Sequence, residues 1–157
     1  LNSTSARNAS MWSGYTNINS SVFSPADLLY NNENGATYVN YLFSEVAGYS
    51  KFGSYVGNGS TDGPFVFCGF RPAFVLWKKA TGVAADWNIF DSSRSSYNVG
   101  SAVLYPNLSN AENTIAKVDL LSNGFKIRAT NTDTNVSGET YVYACFAESP
   151  FRNALAR

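Results

Sequence analysis

Short apolar runs separated by polar, turn-forming stretches set the pattern of this chain. Residues 65–70 (FVFCGF), 73–78 (AFVLWK), 87–90 (WNIF), 103–105 (VLY), 117–121 (KVDLL), 124–129 (GFKIRA) and 141–148 (YVYACFAE) are such runs. Each is short and rich in aromatic or branched residues, which is the signature of a strand. Arg71-Pro72 separates the first two, because proline cannot donate to a ladder. The turn signal Asn31 to Gly35 (NNENG) feeds residues 36–46 (ATYVNYLFSEV). Alternation there places Tyr38, Asn40, Leu42 and Ser44 on one face of an expected strand and Val39, Tyr41, Phe43 and Glu45 on the other. Residues 56–64 (VGNGSTDGP) read as a loop. No apolar i, i+3, i+4, i+7 pattern lasts three helical turns, and only residues 109–117 have room for a short helical turn. The expectation is an all-β fold: a two-layer antiparallel β-sandwich, jelly-roll-like, with under about a tenth of its residues helical.

The run from Gly35 to Glu45 recurs as Gly138 to Glu148, with Gly, Thr, Tyr, Val, Phe and Glu in register 103 residues apart. A unit of about 100 residues is one small sandwich. On that reading residues 1–52 are the C-terminal half of a first unit and residues 53–157 a complete second unit. A half-sandwich cannot bury both faces of its sheet. Its strands need cover from the second unit, from sequence upstream in a parent protein, or from a neighbouring chain. Leu1 in place of Met fits an excised or processed piece.

Composition narrows the function. Charged residues are 14% of the 157, and eleven cations balance eleven anions. Such a surface lacks the basic face of a non-specific nucleic-acid binder and the polybasic patch of a membrane-surface protein. No apolar stretch approaches the roughly 20 residues of a membrane helix. With no histidine, a Ser-His-Asp triad, a Cys-His dyad or a His-containing zinc site is impossible within this chain. Asn, Ser, Thr and Gly fill the space instead, numbering 18, 20, 10 and 12, alongside 15% aromatics. That mixture suits β-turns, and it also suits surfaces that bind neutral polar ligands such as glycans. Six Asn-x-Ser/Thr sequons, including Asn58, Asn107 and Asn135, follow from the abundance of these residue types.

Catalysis would fall to carboxylates, chiefly Asp62, Asp86, Asp91, Asp119 and Asp133, and a glycosidase needs two of them across a cleft. The structural reading of Asp91 and Arg94 is a capped turn with Arg94 paired back onto Asp91. Residues 58–63 (NGSTDG) are rich in oxygen but lack the spacing and the glutamate of an EF-hand. No cofactor and no metal site is expected. Cys68 and Cys145 lie in apolar runs and read as buried thiols. Aromatics beside polar stretches are the binding candidates: Trp12, Tyr15, Trp77, Trp87, Tyr97 and Tyr105. The core is the expected place for Trp77 and Trp87.

Residues 49–64 (YSKFGSYVGNGSTDGP), 69–76 (GFRPAFVL), Trp87 to Arg94, 121–126 (LSNGFK) and the ending from Tyr143 to Arg157 together resemble tandem β-domains of tailed-bacteriophage tail and fibre-type proteins. The likeness covers most of residues 22–157. It implies a virion module assembled in the bacterial host cytoplasm, homotrimeric, and contacting other tail proteins and a host glycan or protein receptor. It also implies a reducing compartment, in which disulfides are uncommon. The expected role is non-enzymatic host-surface recognition or adhesion. A structural spacer or decoration domain and a carbohydrate-active depolymerase are the alternatives. Trp77 departs from the smaller aliphatic expected at its position. Recognition is expected on loops at one end of the sandwich: residues 57–63, 80–87 or, by choice, 92–101. The ligand-binding candidates are Tyr97, Asn98, Arg94, Trp77, Trp87 and Asp62.

Overall fold

The computed structural model describes Val22 and residues 33–149. The expected binding aromatics Trp12 and Tyr15 and the start of the 31–35 turn lie outside the described residues. The chain divides into one unit made of Leu1–Ala6 with Ser44–Arg157 and a second made of Arg7–Phe43.

The larger unit carries eight strands: β1 (Ser50–Val56), β2 (Phe65–Phe67), β3 (Phe74–Lys79), β4 (Trp87–Asp91), β5 (Gly100–Val103), β6 (Asn113–Leu121), β7 (Gly124–Ile127) and β8 (Thr140–Phe146). They form two four-stranded antiparallel sheets, ordered β1-β8-β3-β4 and β2-β7-β6-β5. The first and last strands pair, as do the second and seventh, which is the nesting of a jelly roll. Inside that nest β3–β4 and β5–β6 are simple hairpins. The all-β sandwich expected from the strand spacing is therefore the observed fold, with no helix among the described residues.

Alternation builds the core. Tyr141, Tyr143 and Cys145 of β8 point inward beside Val75 and Trp77 of β3 and Phe90 of β4, and they meet Val118, Leu120, Phe125 and Ile127 of the opposite sheet. Trp77 and Phe90 stack at 5.1 Å, and Phe125 packs edge-on against Tyr55 and Tyr143. Such aromatic pairs add about 0.5–1.5 kcal/mol each beyond burial. Gly53 makes room for one of these rings: a Cβ there would lie 2.9 Å from the Tyr143 hydroxyl.

Two expectations are corrected. Residues 36–45 form no strand, although the similar run Gly138 to Glu148 contains β8 at the centre of a sheet. A strand needs a partner strand, and among the described residues no strand pairs with this run; Val39, Tyr41 and Leu42 are exposed. The turn before it is present, with Ala36 N–H donating to Glu33 O at 3.1 Å and Gly35 at φ 81°. The helical turn allowed over residues 109–117 is absent. Residues 113–117 open β6, because branched Thr114, Ile115 and Val118 suit a ladder and β5 supplies a partner. β1 forms although its Gly53 and Ser54 dilute the apolar pattern of a strand. It runs across the 52/53 boundary drawn from the repeat.

Candidate functional site: a cleft at one end of the sandwich

The registers place three connections at one end. Val56 lies opposite Thr140, and Lys79 lies opposite Tyr141. The β1–β2, β3–β4 and β7–β8 connections therefore meet there. Backbone bonds join two of them: Gly57 N–H to Glu139 O at 2.8 Å, Gly138 N–H to Gly57 O at 2.9 Å and Gly59 N–H to Asn135 O at 3.1 Å. Between the β3–β4 and β7–β8 connections and the β5–β6 side is a cleft of about 330 Å³, lined by Ala84, Asp86, Tyr105, Lys117, Asn131, Thr132 and Asp133 among others.

The floor of the cleft is a buried ion pair. Lys117 is 1% exposed, and its Nζ donates to Asp133 Oδ2 at 2.5 Å and to Asn88 Oδ1 at 2.8 Å. The Tyr105 hydroxyl lies 3.3 Å from Nζ, and the Tyr105 ring centre lies 5.2 Å away. Thr134 Oγ1 donates to the other carboxylate oxygen of Asp133 at 2.9 Å. Burying an ammonium is tolerable only when it is paired and hydrogen-bonded in this way. Lys117 faces inward because the β5–β6 register shifts between Gly100 and Ala102, which re-aims a side chain that simple alternation would send outward.

Core side chains hold the β7–β8 connection in place. Trp77 Nε1 donates to Asp133 O at 3.0 Å, and Asn88 Nδ2 donates to the same carbonyl at 3.3 Å. Tyr55 donates to Thr134 O at 2.8 Å, and Tyr141 to Thr132 O at 3.0 Å. Burial pushes the Tyr55 phenol well above its usual range, with Tyr141 and Asp133 adding to the rise. On the opposite wall Asn107 Nδ2 donates to Asp86 Oδ1 at 2.8 Å, and buried Lys78 donates to Ala85 O. Desolvation lowers the pKa of Lys78, while Asp86 pulls it back up. A cleft held this way presents its groups at fixed positions, which lowers the ordering cost of binding.

The residues singled out in the sequence scatter. Trp77 is fully buried against Phe90 and supports Asp133 from beneath, so it offers no ring to a ligand. Trp87 is half-buried, lies opposite Lys78 in the ladder and does not line the cleft. The 92–101 segment leaves β4 at Asp91, opposite Phe74, and so departs from the other end of the sandwich. There Tyr97 is 87% exposed, whereas Asn98 is committed: Leu120 N–H donates to its Oδ1 at 2.9 Å and its Nδ2 donates to Leu120 O at 3.2 Å. Arg94 is also committed, to Asp91 at 2.5 Å and Glu112 at 2.8 Å. The capped turn expected at Asp91 is present, with Arg94 N–H donating to Asp91 Oδ1 at 2.8 Å. Burial alone would raise the Asp91 pKa, but the Arg94 backbone and guanidinium and the Ser93 N–H outweigh it and hold it low. Asp62 pairs with Lys126 at 2.8 Å on the surface. Its loop is closed by Asn135, whose side chain bonds Asn58 N–H, Asn58 Oδ1 and Ser60 O.

The family model described as a domain of unknown function, DUF7483, matches residues 1–150. The chain belongs to that family. No curated protein and no solved structure matches it. In this family member the residues that build the cleft include two that sequence reasoning passed over, Lys117 and Asn88. Lys117 alternates with Val118 and Asp119 as a surface lysine would. Only the shifted register, which no local pattern announces, turns it inward.

Proposed function

We propose that this chain is a module of a tailed-phage fibre or spike that attaches the virion to a neutral saccharide of the host surface, without chemistry. The supporting observation is the cleft. It combines an aromatic wall, Tyr105, with Asp86, Asn131 and Thr132 as hydrogen-bonding groups. Sugar sites are built from that pairing, rings against C–H faces and few polar groups against hydroxyls. The lysine on its floor is neutralised by Asp133, which suits an uncharged ligand. The sequence likeness to phage tail and fibre-type β-domains supports the virion setting.

A depolymerase reading has one specific observation in its favour, since Asp86 and Asp133 both line the cleft. Against it, both oxygens of Asp133 already accept hydrogen bonds, from Lys117 and Thr134. A nucleophile or general acid needs a carboxylate that can reach the substrate. In the virion reading the chain is a homotrimer whose neighbours cover the exposed side chains of Val39, Tyr41 and Leu42. A bacterial glycan array with purified protein, followed by incubation of any hit, separates the readings. Binding without cleavage supports attachment, shortened glycan supports a depolymerase, and no binding supports a spacer.

A further inference from the structure

Cys68 and Cys145 are both buried, 7% and 0% exposed, and their sulfurs are 3.2 Å apart. They belong to different sheets. Cys68 directly follows edge strand β2, and Cys145 lies in β8, the second strand of the opposite sheet. A disulfide needs about 2.05 Å between sulfurs, so an approach of roughly 1 Å joins the two layers. We propose that these thiols form a redox-active pair that closes into an inter-sheet disulfide.

The surroundings assign an order to the two thiols. Cys145 hydrogen-bonds through sulfur with Cys68 and lies 3.5 Å from Lys51 O. The bond to Cys68 and burial raise its pKa. Cys68 follows a strand of only three residues that is paired on one side alone, with β7. Fraying of that edge bares Cys68 before the core opens. The Cys68 thiolate attacks a low-molecular-weight disulfide such as oxidised glutathione, releasing one thiol and leaving a mixed disulfide. Cys145 then gives up its proton and displaces the second thiol. Two protein thiols are oxidised and one small disulfide is reduced, with no other reactant. The chemistry is independent of the attachment reading. That reading supplies only the timing, because a virion leaves a reducing cytoplasm for an oxidising medium.

The bond would close a loop between residues 77 apart in sequence, which strongly restricts the unfolded chain. Reduced full-length protein, incubated with oxidised glutathione, is followed by intact mass, peptide mapping and thermal melting. The expected result is loss of two hydrogens, a cross-linked peptide pair holding residues 68 and 145, and a Tm higher by about 10 °C that falls back on reduction. The Cys145→Ala variant should stop at a glutathione adduct on Cys68, while Cys68→Ala should stay unmodified as long as it is folded. Two alkylatable thiols after oxidant treatment and unfolding would overturn the proposal. Adduct formation on Cys145 in folded Cys68→Ala would overturn the order of attack.

Discussion

Lys117 Nζ and Asp133 Oδ2 stand 2.5 Å apart, the cation 1% exposed and the carboxylate 15% exposed, so the two partners are unequally dependent on each other. Asp133→Ala strands an ammonium that has almost no water and should cost about 3–5 kcal/mol. Lys117→Met leaves a carboxylate that keeps Thr134 and some solvent, and should cost about 2 kcal/mol. Urea unfolding of both variants checks the asymmetry. Equal losses would contradict it.

At the far end of the sandwich, neighbouring residues should behave oppositely. Asn98 stands in for a ladder residue opposite Leu120 with both amide groups, so Asn98→Ala should lose about 1–3 kcal/mol. Tyr97 is 87% exposed, and Tyr97→Ala should change stability by less than about 0.5 kcal/mol. Paired thermal melts read both values.

Ordinary strands were legible because their residues alternate and each has a ladder partner. The runs around Val75, Phe90, Phe125 and Tyr143 are all strands of the core. The same local pattern misled at residues 36–45, where alternation is present but no partner strand is found among the described residues. Pairing is a tertiary fact, and so is the register shift that turns Lys117 inward. For the same reason the cleft was only half legible. Tyr105, Asp86 and Asp133 stood out by residue type, and the 80–87 loop was named. The residues that fix them in place are Trp77, Asn88 and Tyr55, and their hydrogen bonds cross 45 to 79 positions of sequence.

Alkaline pH should unfold the protein through its core tyrosines. Burial raises Tyr55 well above its usual value, raises Tyr141, and lifts Tyr143 to about 12. A phenol whose folded pKa is raised favours the fold fully below its unfolded value of about 10, and that contribution is lost as pH rises toward the folded value. Stability should therefore fall between about pH 10 and 12. Absorbance at the phenolate band should show these three of the ten tyrosines ionising together with loss of near-ultraviolet circular dichroism. Smooth titration of all ten at ordinary pKa with the fold intact would contradict this.

Asn135, fully buried, closes the 57–63 loop with its side chain and so occupies the oxygens that a calcium ion would need. Asn135→Ala should cost about 2–3 kcal/mol by leaving Asn58 N–H and Ser60 O without their partner. Calcium or a chelator should leave the wild-type Tm unchanged. A calcium-dependent rise in thermal melts would reassign the loop as a metal site.

The proposed function makes the cleft the point of host attachment. Purified protein should therefore compete with phage for adsorption to the host. The Ala84→Trp variant fills the mouth of the cleft from an exposed position and should leave the Tm nearly unchanged. The measurement is adsorption with each protein as competitor. Attachment through the cleft predicts strong competition by the wild type and at least about a tenfold loss with Ala84→Trp, the effect of removing roughly 1.4 kcal/mol of binding. Full competition by the folded variant, or none by the wild type, would contradict it.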